Sequence, residues 1–146
     1  MDQSKSWNSP NRMLLQAAII IAVVLLYHVF FGKSYDLTIR DGMLKLGIDH
    51  YQDSVAISQI DSLTLLDELD QGSVVDGGAS RNLSWGTWES DSYGRYHLYM
   101  YNTTARWILM EADGQSYIFN CDNKEATANF CAALQELCLK TPEGGR

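Results

Sequence analysis

One amphipathic helix near the end of the chain, Asp122 to Leu139, limits what the rest can fold into. At about 100° per residue, Ala126, Phe130, Ala133, Leu134 and Leu137 fall on one stripe, while Lys124, Glu125, Asn129, Gln135 and Glu136 point away from it. Asp122 with Glu125 three residues later reads as a capping box, its carboxylate accepting from free N–H groups at the positive end of the helix dipole. Pro142 and the pair Gly144-Gly145 then end the helix. Between Lys33 and Asn120 the chain reads as short strands, so this helix is what covers the end or open side of a sheet. The expected class is α+β, mainly β: a small barrel or sandwich with a helix plug.

The strands begin with Tyr35, Leu37 and Ile39, which alternate with polar residues. Asp41-Gly42 is a hairpin turn signal, and Met43, Leu44, Leu46 and Ile48 return from it. Val55 to Ile57 and Ile60 to Leu69 are two more apolar runs. Gln71 to Asn82, rich in Gly, Ser and Asp, reads as a loop that is most flexible at Gly77-Gly78. Trp85-Gly86-Thr87-Trp88 interrupts the next strand. Tyr93 to Tyr101, Ala105 to Glu111 and Gln115 to Phe119 then form a meander, joined through Asn102-Thr103-Thr104 and Asp113-Gly114. The count is about seven strands.

Ahead of the strands, Met13 to Phe31 carries no charge, and nineteen helical residues span about 28 Å against a hydrocarbon core of about 30 Å. The segment reads as a single-pass transmembrane helix that stays in place, because Phe30-Phe31-Gly32-Lys33 lacks the small residues of a signal-cleavage site. Tyr27, Phe30, Phe31 and Lys33 suit the far interface, and membrane lipid is the anchor's partner. Lys5 and Arg12 precede the helix while Lys33, Arg40 and Lys45 follow it, which leaves the sidedness of the C-terminal domain open. The expected organisation is a polar N-tail over 1–12, the membrane helix over 13–32, one domain over 33–140 and a tail over 141–146.

Charge removes several function classes. Residues 33–146 hold nine Lys or Arg against seventeen Asp or Glu, and an acidic domain repels phosphates, so nucleic acid is excluded as a partner. Asp61, Asp67, Glu68, Asp70 and Asp76 read as a solvated acidic loop. The three cysteines, Cys121, Cys131 and Cys138, lie in or just before the last helix and read as buried or half-buried thiols, with a bridge from Cys121 as the alternative.

A search for catalytic spacing finds no P-loop, nucleophile elbow, dinucleotide fingerprint or metal clamp. His97 alternates with Tyr99 and Tyr101 along its strand and reads as a packing residue rather than a base. No enzyme activity, cofactor or metal is expected. The aromatics are the stronger candidates: Trp85, Trp88, Tyr99, Tyr101 and Trp107 crowd one sheet region, and exposure of some would make a contact patch of the kind interfaces favour.

This order of elements resembles the bacterial pleckstrin-homology-like domains, especially those attached to membrane helices. The likeness rests on Tyr35 to Ile39, Ile57 to Leu63, Asn82 to Gly94, Tyr96 to Met100, Ser116 to Asn120 and the Phe130 helix, and it covers Ser34 to Leu139. It implies a barrel of about seven antiparallel strands capped by the C-terminal helix, acting as a binding or scaffolding module. The first hairpin offers only Arg40 and Lys45 beside Asp36, Asp41 and Asp49, which argues against specific phosphoinositide binding. The expected role is binding to another protein, or to a second copy, at a membrane surface through a strand edge or the aromatic patch. The alternative is a small-ligand or enzymatic pocket between the terminal helix and the Gly72 to Gly78 loop.

Overall fold

The computed structural model describes residues 10–31 and 35–141. The chain divides into two compact units, residues 1–33 and 34–146. In the first, α1 runs over Pro10–Phe31. Among the described residues no helix is long and apolar enough to cross a membrane. This corrects the expected transmembrane helix and, with it, the cell-membrane location. Of the expected anchor residues, Tyr27, Phe30 and Phe31 lie in the last turns of α1, beyond the described side chains. Lys33 falls outside the described residues, as do residues 1–9 of the expected N-tail and 142–146 of the expected C-terminal tail.

Among the described residues the second unit is α+β and mainly β, with nine strands rather than seven. β1 (Tyr35–Arg40), β2 (Met43–Ile48) and β3 (Tyr51–Ala56) form a small antiparallel sheet. The turn residues Asp41 and Gly42 both take positive φ (54° and 74°), so the expected first hairpin is present, with Arg40 paired to Met43. A 3-10 turn at Ile57–Gln59 leads into the large sheet: β4 (Ile60–Leu66), β5 (Ser73–Ala79), β6 (Leu83–Ser90), β7 (Gly94–Tyr101), β8 (Trp107–Ala112) and β9 (Gln115–Phe119). Its spatial order is β4-β8-β9-β7-β6-β5. The two ladders remain separate sheets, so the expected closed barrel of pleckstrin-homology type does not form.

Two strand-level expectations change for physical reasons. The Gly-rich stretch expected to be a flexible loop is β5, paired along β6 with a bulge between Val74 and Asp76. The glycines belong there because Gly77 and Gly86 face each other at positive φ (144° and 101°), where the two main chains leave no room for a Cβ. β6 is therefore continuous through Trp85-Gly86-Thr87-Trp88. The last three strands are not a meander either: β9 inserts between β7 and β8, parallel to β7 and antiparallel to β8. Asn120, fully buried at the end of β9, secures that insertion. Its Oδ1 accepts from Tyr101 N at 2.8 Å, and its Nδ2 donates to Tyr101 O and Thr104 O at 3.1 Å each.

Both faces of the large sheet are covered. Its inner face packs Leu83, Trp85, Tyr99, Ile108, Met110, Tyr117 and Phe119 against Leu44, Leu46, Ile48 and Val55 of the small sheet and against α2 (Lys124–Lys140). Its outer face buries Trp88, Tyr96, Leu98, Met100 and Ile118, with Leu69, Trp107 and Leu109 alongside. The cover on that side is the connection from β4 to β5, which must travel from one edge of the sheet to the other. Seven Cα steps from Leu66 to Ser73 reach about 24 Å, the same as five strand spacings of about 4.8 Å, so the strap crosses nearly straight. Asp67 pairs with Arg106 at 2.8 Å, Asp70 accepts from Ser92 N at 3.1 Å, and the Tyr96 hydroxyl donates to Gln71 O at 2.6 Å. Of the acidic run expected to be a solvated loop, Asp67 and Asp70 tie down this strap while staying exposed, and Asp61 and Asp76 lie in β4 and β5.

The terminal helix packs on β4, β8 and the 3-10 turn. Its cap is Asn123, whose side chain accepts from Ala126 N at 2.8 Å, and not the expected Asp122–Glu125 box. Its buried stripe is Thr127, Cys131 and Leu134, flanked by Phe130 and Cys138, while Ala133 and Leu137 are exposed. All three cysteines are free thiols.

Candidate functional site

The five aromatics expected to form a contact surface do not share one. Trp85 and Tyr99 are buried in the inner core, where Tyr101 packs its ring on Tyr35 at 4.7 Å. Trp88 and Trp107 lie on the opposite face, beneath the strap. Trp88 donates its indole N–H to Trp85 O at 2.9 Å, and Trp107 donates to Met100 Sδ at 3.3 Å. With Trp85, Trp88 and Tyr99 each under one-tenth exposed, these rings are core. The expected exposed patch is therefore replaced by two other places where the fold leaves something unfinished.

The first is a groove of about 350 Å³ between β4 and the last turns of α2, lined by Ile60, Asp61, Ser62, Leu63, Gln135, Cys138 and Leu139. Among the described residues β4 is an outer strand paired only to β8, so one side of its main chain is open to a further strand. A bulge between Ile60 and Ser62 twists the start of this edge, after which pairing is regular to Leu66. Leu63 reaches the main core, while Leu65 and Leu137 are each 37% exposed and Leu139 is 89% exposed. An open edge beside apolar side chains on a rigid helix suits an extended chain. The expected pocket between this helix and Gly72 to Gly78 does not form in that shape, because β5 lies at the opposite edge of the sheet from β4.

The second place is polar. Asp53 lies on β3 opposite Leu46, so its side chain shares the core-facing side of the small sheet. There its Oδ2 accepts from the Tyr99 hydroxyl at 2.6 Å and lies 3.2 Å from His97 Nδ1. The other ring nitrogen, His97 Nε2, is 2.9 Å from Gln115 Oε1, which also accepts from the Tyr117 hydroxyl at 3.3 Å. The His97 ring stacks on Tyr117 at 5.0 Å. Burial pushes the Asp53 carboxyl up, but the bonds from His97 and Tyr99 outweigh it and leave it below its ordinary value. The bond to Asp53 holds His97 above the usual imidazole range, while burial and the same carboxylate push the Tyr99 hydroxyl up.

A histidine paired with a carboxylate is also what a general base uses. Here Nε2, the nitrogen such a base would turn to its substrate, is already held by Gln115. The neighbouring cleft of about 410 Å³ is lined by Thr87, Arg95, Tyr96, His97, Gly114 and Gln115. The sequence places His97 as a packing residue and Asp53 only among aspartates that lack calcium-loop spacing, with nothing to pair the two. The available signal was an aspartate at the centre of Tyr51-Gln52-Asp53-Ser54-Val55, where strand alternation asks for an apolar side chain between Tyr51 and Val55. Among the described residues no group of His, Cys, Asp and Glu could hold a metal ion. The chain matches no family model, no curated protein and no solved structure.

Proposed function

We propose that this protein is a non-enzymatic binding module that takes an extended segment of a partner protein along β4. The observation that carries the reading is the groove itself: a free strand edge from Ser62 to Leu66 lying beside exposed Leu139 and half-exposed Cys138. Main-chain hydrogen bonds to an added strand would supply affinity, and alternate side chains of the segment would meet Leu63, Leu65 and the helix end. The reading agrees with the binding or scaffolding role implied by the resemblance to pleckstrin-homology-like domains. Asp61 at the rim favours a segment with a basic residue at one end.

The test is selection of short random peptides against the full chain, followed by amide chemical-shift mapping. The expected result is a set of alternating apolar sequences whose shifts centre on Ser62 to Leu66 and the last turn of α2. Leu139→Asp should abolish binding without loss of stability, since that side chain is 89% exposed, and Leu65→Asp, at a side chain still largely covered, should abolish binding with some loss of stability. Shifts centred on the cleft beside His97, or binding unchanged in both variants, would overturn the reading. A groove that takes small apolar molecules but no peptide would favour the small-ligand alternative.

A further inference from the structure

Asp53 occupies a position where a strand over a hydrophobic core normally carries an apolar side chain. A carboxylate placed there is costly unless it is paired and hydrogen-bonded. Its partners come from the other sheet: β7 supplies Tyr99 and His97, so the contact spans the seam between the small and large sheets. Both nitrogens of His97 face oxygen atoms, Asp53 Oδ2 and Gln115 Oε1. Only the doubly protonated ring can donate to both.

We propose that Asp53 and His97 form a proton-gated latch across the seam between the two sheets, closed as a carboxylate–imidazolium pair and loosened when His97 loses its proton. A neutral ring keeps one N–H: held on Nδ1, its bond to Asp53 loses the imidazolium charge, and the exposed Gln115 must turn its amide to face the unprotonated Nε2.

The surroundings determine the direction. From β3 the ring faces Asp53, and from β9 it faces Gln115 and Tyr117, with Asp113 further off at the turn. Along β7 the same side carries Arg95 and Tyr99, and across the ladder on β6 it carries Thr87 and Glu89. Arg95 is engaged by Glu89 at 3.5 Å, while Asp36 on β1 and Lys45 on β2 line a cleft that also contains Asp53. Asp53 is the charged group within hydrogen-bonding reach of the ring.

His97 is held above its ordinary value and Asp53 below its own. The latch therefore contributes fully below the imidazole value of the unfolded chain and is lost as pH rises through the folded value. At the acid end it persists until Asp53 is protonated.

The experiment is an NMR pH titration of the His97 ring resonances in the full chain, assigned with His97→Gln and compared with the same resonances in urea. Amide exchange of β3, corrected for the chemical rate, is followed over the same range. The expected result is a folded midpoint above the unfolded one, with β3 exchange increasing several-fold through that midpoint. Asp53→Asn should lower the midpoint and remove the pH dependence of exchange. Gln115→Ala, a change at an exposed residue, should lower the midpoint with the fold intact, so the proposal stays testable if the first variant does not fold. A folded midpoint at or below the unfolded one, or exchange indifferent to the titration, overturns the latch.

Discussion

Gly77 and Gly86 oppose each other across β5 and β6 so closely that a Cβ on either would overlap the main chain of the other strand. The overlap would be with Trp85 O for Gly77 and with Asp76 O for Gly86. Backbone offers no rotamer to move aside, and both residues hold positive φ. Gly86→Ala or Gly77→Ala should therefore cost on the order of 3 kcal/mol or unzip β5 from the sheet. Gly114→Ala, also at positive φ but with open space around it, should cost about 1–2 kcal/mol. Chemical denaturation of the three variants separates overlap from dihedral strain.

Asn120 should be among the least replaceable polar residues. Its side chain satisfies the N–H and C=O of Tyr101 and the C=O of Thr104, and it is itself fully buried. Asn120→Ala would remove three bonds to the main chain, leaving Tyr101 O with only the longer contact from Thr104 N at 3.4 Å, for an expected loss of about 2–4 kcal/mol. Asn120→Asp keeps the acceptor for Tyr101 N–H but turns a carboxylate oxygen towards two carbonyls, so it should rescue little at neutral pH. Urea unfolding monitored by tryptophan fluorescence measures both.

What could be read from the chain follows the reach of the interactions. The β1–β2 hairpin was legible because Asp41-Gly42 and the alternation of Leu44, Leu46 and Ile48 are local signals. The insertion of β9 was not, since it depends on an amide at Asn120 finding Tyr101 across the sheet. The aromatic cluster was seen, but its division between two faces needed the strap over the outer side, which alternation alone cannot reveal. β5 was hidden because its glycines serve a close strand approach, while composition reads them as flexibility. The groove at β4 depends on which strand ends up outermost, a property of topology alone.

The start of α2 offers a test between two neighbouring residues. Asn123 accepts from Ala126 N–H, whereas Asp122 stands one residue outside the cap and interacts with the Asn123 amide. Asn123→Ala should destabilise by about 1 kcal/mol and Asp122→Ala by a few tenths at most. Thermal unfolding of the pair decides which residue begins the helix; equal losses would restore the capping box read from sequence.

The cysteines connect the fold to the groove. Cys131 is 3% exposed within the core, and burial pushes its thiol up, so it should resist alkylation until the chain unfolds. Cys138 is half-buried and lines the β4 groove; burial raises its thiol too, with a main-chain bond partly opposing it. Maleimide labelling of the native chain should therefore reach Cys138 well before Cys131, and the labelled site is read by peptide mass mapping. A peptide seated on β4 should slow labelling at Cys138 and leave Cys121 unchanged, because Cys121 lines a separate cleft with Tyr35, Tyr101 and Phe130. Equal protection of both thiols would point to a global tightening of the domain, and protection of neither would place the peptide away from the groove.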